Sequence, residues 1–297
     1  MIKFYLILIF EAIFSPVLYL IEALKKLGLL PVNHHFKANV NRKAANPNKL
    51  LVCIHDWAGY DLIRKKGFKN GKVIECGLSY QIDRFKNYKG EKNIEYLVTI
   101  SDFDLYPKEK YKGLNVKAVS NIGFDFSGYA HFVENLPAEN CYVLLMNTSI
   151  EKTQTDFIDD YIAYMESNPS IGLLGISYST KKFQTLIRNN FEPHVQSFFL
   201  LTTTDILKQI SIVNNGFPGK PIKHKRLLIR EGELKISSII KRMGYSLAII
   251  SENGQPFIFP TSTNKYSKYK MWKMPYGDYR YAVDTPNKIN RIISGVI

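Results

Sequence analysis

Five short polar clusters hold the side chains whose type and spacing could do chemistry. His55-Asp56 closes the apolar run LLVCIH. Asn121-Ile-Gly123-Phe-Asp125-Phe-Ser127-Gly128-Tyr129 places a carboxylate between two phenylalanines after a glycine turn. Asp125 there suits hydrogen bonds from a ribose or a base, while Ser127 reads equally well as a helix cap. Asn147-Thr148-Ser149 ends the apolar run YVLLMN, and His194-Val195-Gln196-Ser197 opens another, VQSFFLLT. Alternation along a strand puts His194 and Gln196 on one face, with Val195 and Ser197 on the other. A lone histidine is more often structural than catalytic, so Gln196 two residues on is what strengthens His194. Glu231-Gly232-Glu233 precedes an apolar helical pattern, where acidic residues are also expected on helix-dipole grounds alone. No P-loop, GxGxxG, HExxH or GxSxG is present, so the chemistries those motifs carry lose their usual support.

These clusters need a scaffold that brings run ends together. The apolar runs 50–55, 94–100, 115–119, 142–147, 171–178, 195–202 and 246–251 read as strands. Helical patterns fall near 60–66 and at 79–87, 128–135, 155–167, 204–213 and 232–243, with Thr155 and Thr204 as N-caps and Gly244 as a C-terminal left-handed residue. Strands alternating with helices predict an α/β fold, a mostly parallel mixed sheet covered on both faces. In such sheets ligands bind at the carboxyl ends of the strands, where most of the polar clusters stand.

The rest of the chain bounds the setting. Its 297 residues carry 40 Lys and Arg against 26 Asp and Glu, a net +14, which implies an anionic partner. The basic residues are dispersed and no nucleic-acid recognition motif occurs, so nucleic acid is not the expected partner. Cys53, Cys76 and Cys141 have no zinc spacing and read as free thiols in a reducing compartment. Residues 1–32 form a hydrophobic helical segment whose run 4–21 is interrupted only by Glu11, Ser15 and Pro16. It reads as a spanning helix, two interfacial helices bent at Pro16, or a docked hairpin, attaching the chain to the cytoplasmic face of an inner membrane. A buried N-terminal helix is the plainer alternative. No small-residue cleavage site follows it cleanly, which argues against a signal peptide. Polar, turn-rich residues 33–49 read as a linker, 50–255 as one Rossmann-type domain, and 256–297 as a basic-aromatic tail. Seven cations from Lys265 to Arg291 meet only Asp278 and Asp284 there, among six tyrosine and tryptophan rings, a mixture suited to an anionic membrane surface.

Taken in order, GFDFSGY, YVLLMNTSI, HVQSFFLLTTTDIL and EGELKISSIIKRMGYSLAII resemble the rhamnan-synthesis F-type glycosyltransferases of bacterial surface polysaccharides. The resemblance covers residues 50–255 and implies a GT-A-type fold. It implies transfer of a sugar from a nucleotide-sugar to a polyprenyl-linked or growing glycan acceptor. Donor binding would then fall to His55, Asp56, Asn121, Asp125, Asn147, Thr148 and Ser149. Gln196 and Ser197 would meet the acceptor. His194 and Glu233 would be catalytic, with Glu233 the general base or an anchor for the acceptor hydroxyl. The sequence departs from the GT-A pattern at Asn147-Thr148-Ser149, where the acidic metal-binding pair is expected. A Mn2+ or Mg2+ ion would have to lean on diphosphate oxygens; otherwise cations such as Lys223, Lys225, Arg226 and Arg230 must neutralise the leaving group. The same departure supports an alternative, a non-catalytic membrane-attached scaffold of a polysaccharide synthesis complex.

Overall fold

The structure is a computed structural model that describes residues 2–27, 29–30, 38–67, 71–153, 156–179, 182–183, 188–189, 194–251, 254–259 and 286–289. Its centre is an eight-stranded sheet: β1 (Asn46–Trp57), β2 (Asn93–Ser101), β3 (Val116–Val119), β4 (Cys141–Asn147), β5 (Ile171–Gly175), β6 (Phe199–Thr203), β7 (Ser246–Ile250) and β8 (Pro256–Phe259). Their spatial order is β8-β7-β5-β6-β4-β1-β2-β3. β1 runs parallel to both β2 and β4, β2 to β3, and β5 to β7. β6 is antiparallel to β4 and β5, and β8 to β7. The sheet is therefore mixed and mostly parallel, as the alternation of elements predicts.

Both faces are covered, which explains why the central strands are continuous apolar runs. Period-2 alternation sorts their side chains. Leu51, Cys53, Val143 and Leu145 pack towards α3 (Asp125–Glu134), α5 (Thr204–Asn214) and α7 (Lys235–Arg242). Leu50, Val52, Ile54, Leu144 and Met146 pack towards α2 (Leu78–Lys86) and α4 (Ile158–Ser167). Cys53, Cys76 and Cys141 are buried free thiols, and burial pushes Cys53 up to about 12.

Several local expectations change. Residues near 60–66 do not form a helix: Arg64–Gly67 is a strand in an antiparallel hairpin with Val73–Cys76. The strand expected over 195–202 is broken, with a two-residue strand at His194–Val195 and then β6 from Phe199. Thr203 rather than Thr204 stands at the N-cap of α5, while Thr155 lies outside the described residues. Gly244 adopts φ 94° just past α7, as expected. The described part of the expected linker is packed down: buried Arg42 donates from Nε to the Ile171 carbonyl (2.7 Å) and from Nη1 to the Tyr142 hydroxyl (3.1 Å). Most of the basic-aromatic tail lies outside the described residues. β8 continues the sheet past 255, and the Asn287 amide donates to the Tyr161 hydroxyl (3.0 Å).

At the N-terminus α1 (Ile2–Lys26) is one helix that runs through Pro16, rather than two short helices or a hairpin. Proline removes the amide that would bond the Ala12 carbonyl, and Ser15 Oγ donates to that carbonyl instead (3.1 Å). Among the described residues no helix is long and apolar enough to cross a membrane.

Candidate functional site

The strand order 3-2-1-4 reverses between β1 and β4, and in a doubly wound sheet that reversal opens a crevice at the carboxyl ends of the strands. A cavity of about 650 Å³ lies there. It is lined by all eleven residues to which the resemblance gives donor, acceptor or catalytic roles: His55, Asp56, Asn121, Asp125, Asn147, Thr148, Ser149, His194, Gln196, Ser197 and Glu233.

The two central strands supply its floor. The Thr148 amide donates to the His55 carbonyl (3.2 Å), tying the two strand ends together. Thr148 Oγ1 donates to Asp56 Oδ1 (2.5 Å) and accepts from Arg64 Nη2 (2.9 Å); Arg64 Nη1 stands 3.6 Å from the same carboxylate. Burial pushes Asp56 up to about 6, against the opposing pull of Thr148 and Arg64. His55 is buried, its Nδ1 is 3.0 Å from Thr99 Oγ1, and burial lowers its pKa, which favours the neutral ring.

The second wall is the turn into α3. Phe124 sits at φ 50°, a conformation that costs a non-glycine residue about 1–3 kcal/mol and marks sites where geometry is imposed. Asp125 opens α3, and its Oδ2 accepts from Asn147 Nδ2 (2.7 Å). Ser127 does not cap the helix; its Oγ accepts from the Gly123 amide (2.9 Å) and closes the turn. Gly128 lets α3 approach β1 and β2 closely, since a Cβ there would lie 2.2 Å from His55 Nδ1. Asp102 accepts from both Trp57 Nε1 (2.8 Å) and Asn121 Nδ2 (2.6 Å), fixing an indole and an amide at the cavity.

The third wall comes from the antiparallel strand. Because β6 runs against β4, its start lies at the carboxyl end of β4, and the Asn147 amide donates to the Phe198 carbonyl (3.2 Å). The break at 196–198 overturns the expected division of faces: His194, Gln196 and Ser197 all line the cavity. Gln196 is held by Ser177, whose Oγ donates to its side-chain carbonyl. Glu233 is not at a helix start either. It lies in a π-helical turn, Ile229–Leu234, between α6 (Lys225–Leu228) and α7, so no helix N-terminus acts on it. Lys225, Ile229 and Glu233 recur every fourth residue and face the cavity together. π-Turns are frequent at functional sites. Glu233 Oε1 accepts from Ser197 Oγ (2.7 Å) and from the Ser197 amide (3.2 Å), and its Oε2 is 3.8 Å from His194 Nε2. Burial raises the Glu233 pKa, Ser197 opposes that, and the Asp125 charge adds to it.

Sequence reasoning missed Arg64, Lys66, Trp57 and Tyr60, which also line the cavity. Arg64 stacks over the Tyr60 ring at 4.0 Å. An alternating RKKG strand looks like any solvated charged run, so only the hairpin reveals these residues. Of the four cations proposed from sequence, Lys225 lines the cavity, Lys223 does not, and Arg230 turns away to pair with Glu11 (3.5 Å). The Arg226 side chain lies outside the description.

Among the described residues no group of three His, Cys, Asp or Glu could hold a metal ion. Asp56 is engaged by Thr148 and Arg64, Asp125 by Asn147, and Glu233 by Ser197. This donor set does not fit a protein-held divalent ion, in keeping with amide and hydroxyl groups at Asn147-Thr148-Ser149.

Fold and site together define a Rossmann-like α/β protein with a polar cavity at its topological switch point. No family model and no curated protein matches the chain. Among solved structures it is similar to a mannosyltransferase from Pyrobaculum calidifontis in complex with GDP-Man and Mn2+, at 13% identity and TM-score 0.38, over 80% of this chain and 63% of that one. It is also similar to CMP:2-keto-3-deoxy-manno-octonic acid synthetase complexed with CTP, at 10% identity and TM-score 0.38, over 68% and 89% of the two chains. A 4-diphosphocytidyl-2C-methyl-D-erythritol synthase from Anaerococcus prevotii aligns at 10% identity and TM-score 0.34, over 55% and 75%. Likeness this loose assigns no activity; the cavity itself must carry the argument.

Proposed function

We propose that this chain is a glycosyltransferase that takes a nucleotide-sugar donor and a hydroxyl acceptor, in the synthesis of a lipid-linked or growing bacterial surface glycan. The observation that carries the reading is the cavity at the switch point, lined by cations from the Arg64–Gly67 hairpin and from α6 and by a partly buried, hydrogen-bonded carboxylate. Asp125 and Asn121 suit the polar edges of a nucleoside, and Trp57 and Tyr60 offer it aromatic surface. Arg64, Lys66 and Lys225 oppose the charge that grows on the leaving diphosphate, a role that needs donors fixed in advance. Arg64 meets that need because Thr148, Asp56 and Tyr60 already hold it.

In the proposed step Glu233 takes the proton of the acceptor hydroxyl as that oxygen bonds the anomeric carbon. The bond from that carbon to the diphosphate oxygen breaks, and the electron pair leaves with the nucleoside diphosphate. A single displacement with one base inverts the anomeric centre. The raised pKa of Glu233 makes it a stronger base than an ordinary carboxylate. Ser197 orients it, and Gln196 and His194 line the acceptor side.

Calorimetric titration with UDP, dTDP and GDP, with and without manganese, tests the reading. At least one nucleotide binds, and Asp125→Asn weakens it by about 10–100-fold, the loss expected for hydrogen bonds to a charged acceptor. Failure of all three nucleotides to bind rejects the transferase reading and favours the scaffold alternative.

A further inference from the structure

Helix α1 presents an apolar stripe on which none of the described residues packs closely. Ile2, Leu6, Ile9, Ile13, Val17 and Leu20 follow one another three or four residues apart and are 78, 62, 56, 67, 52 and 58% exposed. They form one ridge about 27 Å long. Tyr5, Phe10 and Tyr19, also exposed, flank it. The opposite side is different: Glu11 is only 2% exposed and meets Arg230 at 3.5 Å. The ridge therefore carries no charge, while the helix is tied to the protein through its acidic side.

We propose that α1 lies in the plane of an anionic bilayer surface, with the ridge in the acyl boundary and the Glu11 side held on the protein. A helix with one apolar and one polar side takes that position, and tyrosine rings at its flanks suit the headgroup level. The net +14 of the chain supplies the complementary attraction to anionic lipid. The same charge disfavours a second copy as the occupant, because two strongly cationic chains repel. Glu11 and Arg230 tie α1 to the π-turn that carries Glu233, so docking places that side of the cavity beside the bilayer. The inference stands without the transferase reading, since it concerns only the helix surface and the charge.

Flotation of the full chain with phosphatidylcholine vesicles containing about a third phosphatidylglycerol tests it, against pure phosphatidylcholine vesicles and at about 1 M salt. Wild type floats with the anionic vesicles and partitions about tenfold less without phosphatidylglycerol or at high salt. Ile9→Ser with Ile13→Ser binds at least about tenfold more weakly at unchanged melting temperature, because both positions are exposed. Leu6→Ser with Val17→Ser behaves the same way. Wild-type indifference to anionic vesicles, or undiminished binding by both double variants, overturns the proposal. A wild-type dimer in sedimentation that both variants dissolve and vesicles do not compete with also overturns it, by assigning the ridge to a second copy.

Discussion

Ser197→Ala isolates what holds Glu233 ready. The change removes the 2.7 Å hydroxyl donation and leaves the 3.2 Å amide donation in place. A hydrogen bond to a charged group contributes about 1.5–3 kcal/mol. At 1.36 kcal/mol per tenfold change in proton affinity, its loss moves the acidic limb of the pH–rate profile up by about one to two pH units. The sign follows from the roles. Ser197 donates to the ionised carboxylate and opposes the effect of burial, so without its hydroxyl the proton stays on to higher pH. The base works only when ionised, so activity appears later as pH rises while the alkaline plateau is kept. A second readout needs no substrate. Because the folded-state pKa of Glu233 is already raised, this group's contribution to stability is fully present in acid and lost as pH rises through the folded pKa. In Ser197→Ala that loss goes deeper. The variant should match wild type in urea melts at acid pH and fall behind by about 1.5–3 kcal/mol at neutral pH. Ser197→Thr, which keeps the hydroxyl, should restore both readouts. An unmoved acidic limb, or a deficit of equal size at every pH, refutes the claim that Ser197 acts through the charge on Glu233.

Two further perturbations probe the scaffold of the site. Gly128→Ala drives a methyl into His55 and Thr99 Oγ1, and should cost about 1–3 kcal/mol by overpacking, read as a lowered melting temperature; an unchanged melting temperature means that α3 is not pinned there. Asp56, pushed from 3.8 to about 6 by burial, makes stability fall by about 3 kcal/mol as pH rises from about 4 to 6. Asp56→Asn should lack that slope, so the stability difference between the two proteins in chemical denaturation should change by about 3 kcal/mol across that range, and a parallel pH dependence in both contradicts it.

The sequence by itself determined the α/β class, most of the sheet and the polar clusters. Those signals are local: a strand buried on both faces, such as Leu50–Ile54 or Cys141–Met146, must be apolar along its length, and side chains at its end become free to be polar. It also determined which residues of five separated segments line the cavity, because strand ends in a parallel sheet converge on one edge. Tertiary structure decided what each residue touches. The direction of β6 is set by pairing with β4 and β5, and that pairing brings Ser197 beside Asn147 and onto Glu233. The π-turn that carries Glu233 leaves no distinct composition, so the sequence placed Glu233 at a helix start. Arg64 and Lys66 were illegible for a similar reason. A short charged strand carries no hydrophobic period, and only its hairpin over Asp56 and Thr148 shows that its charge faces inward. Local pattern follows burial, which each segment records in its own residues; the partners of a side chain belong to the contacts between segments, which no single segment records.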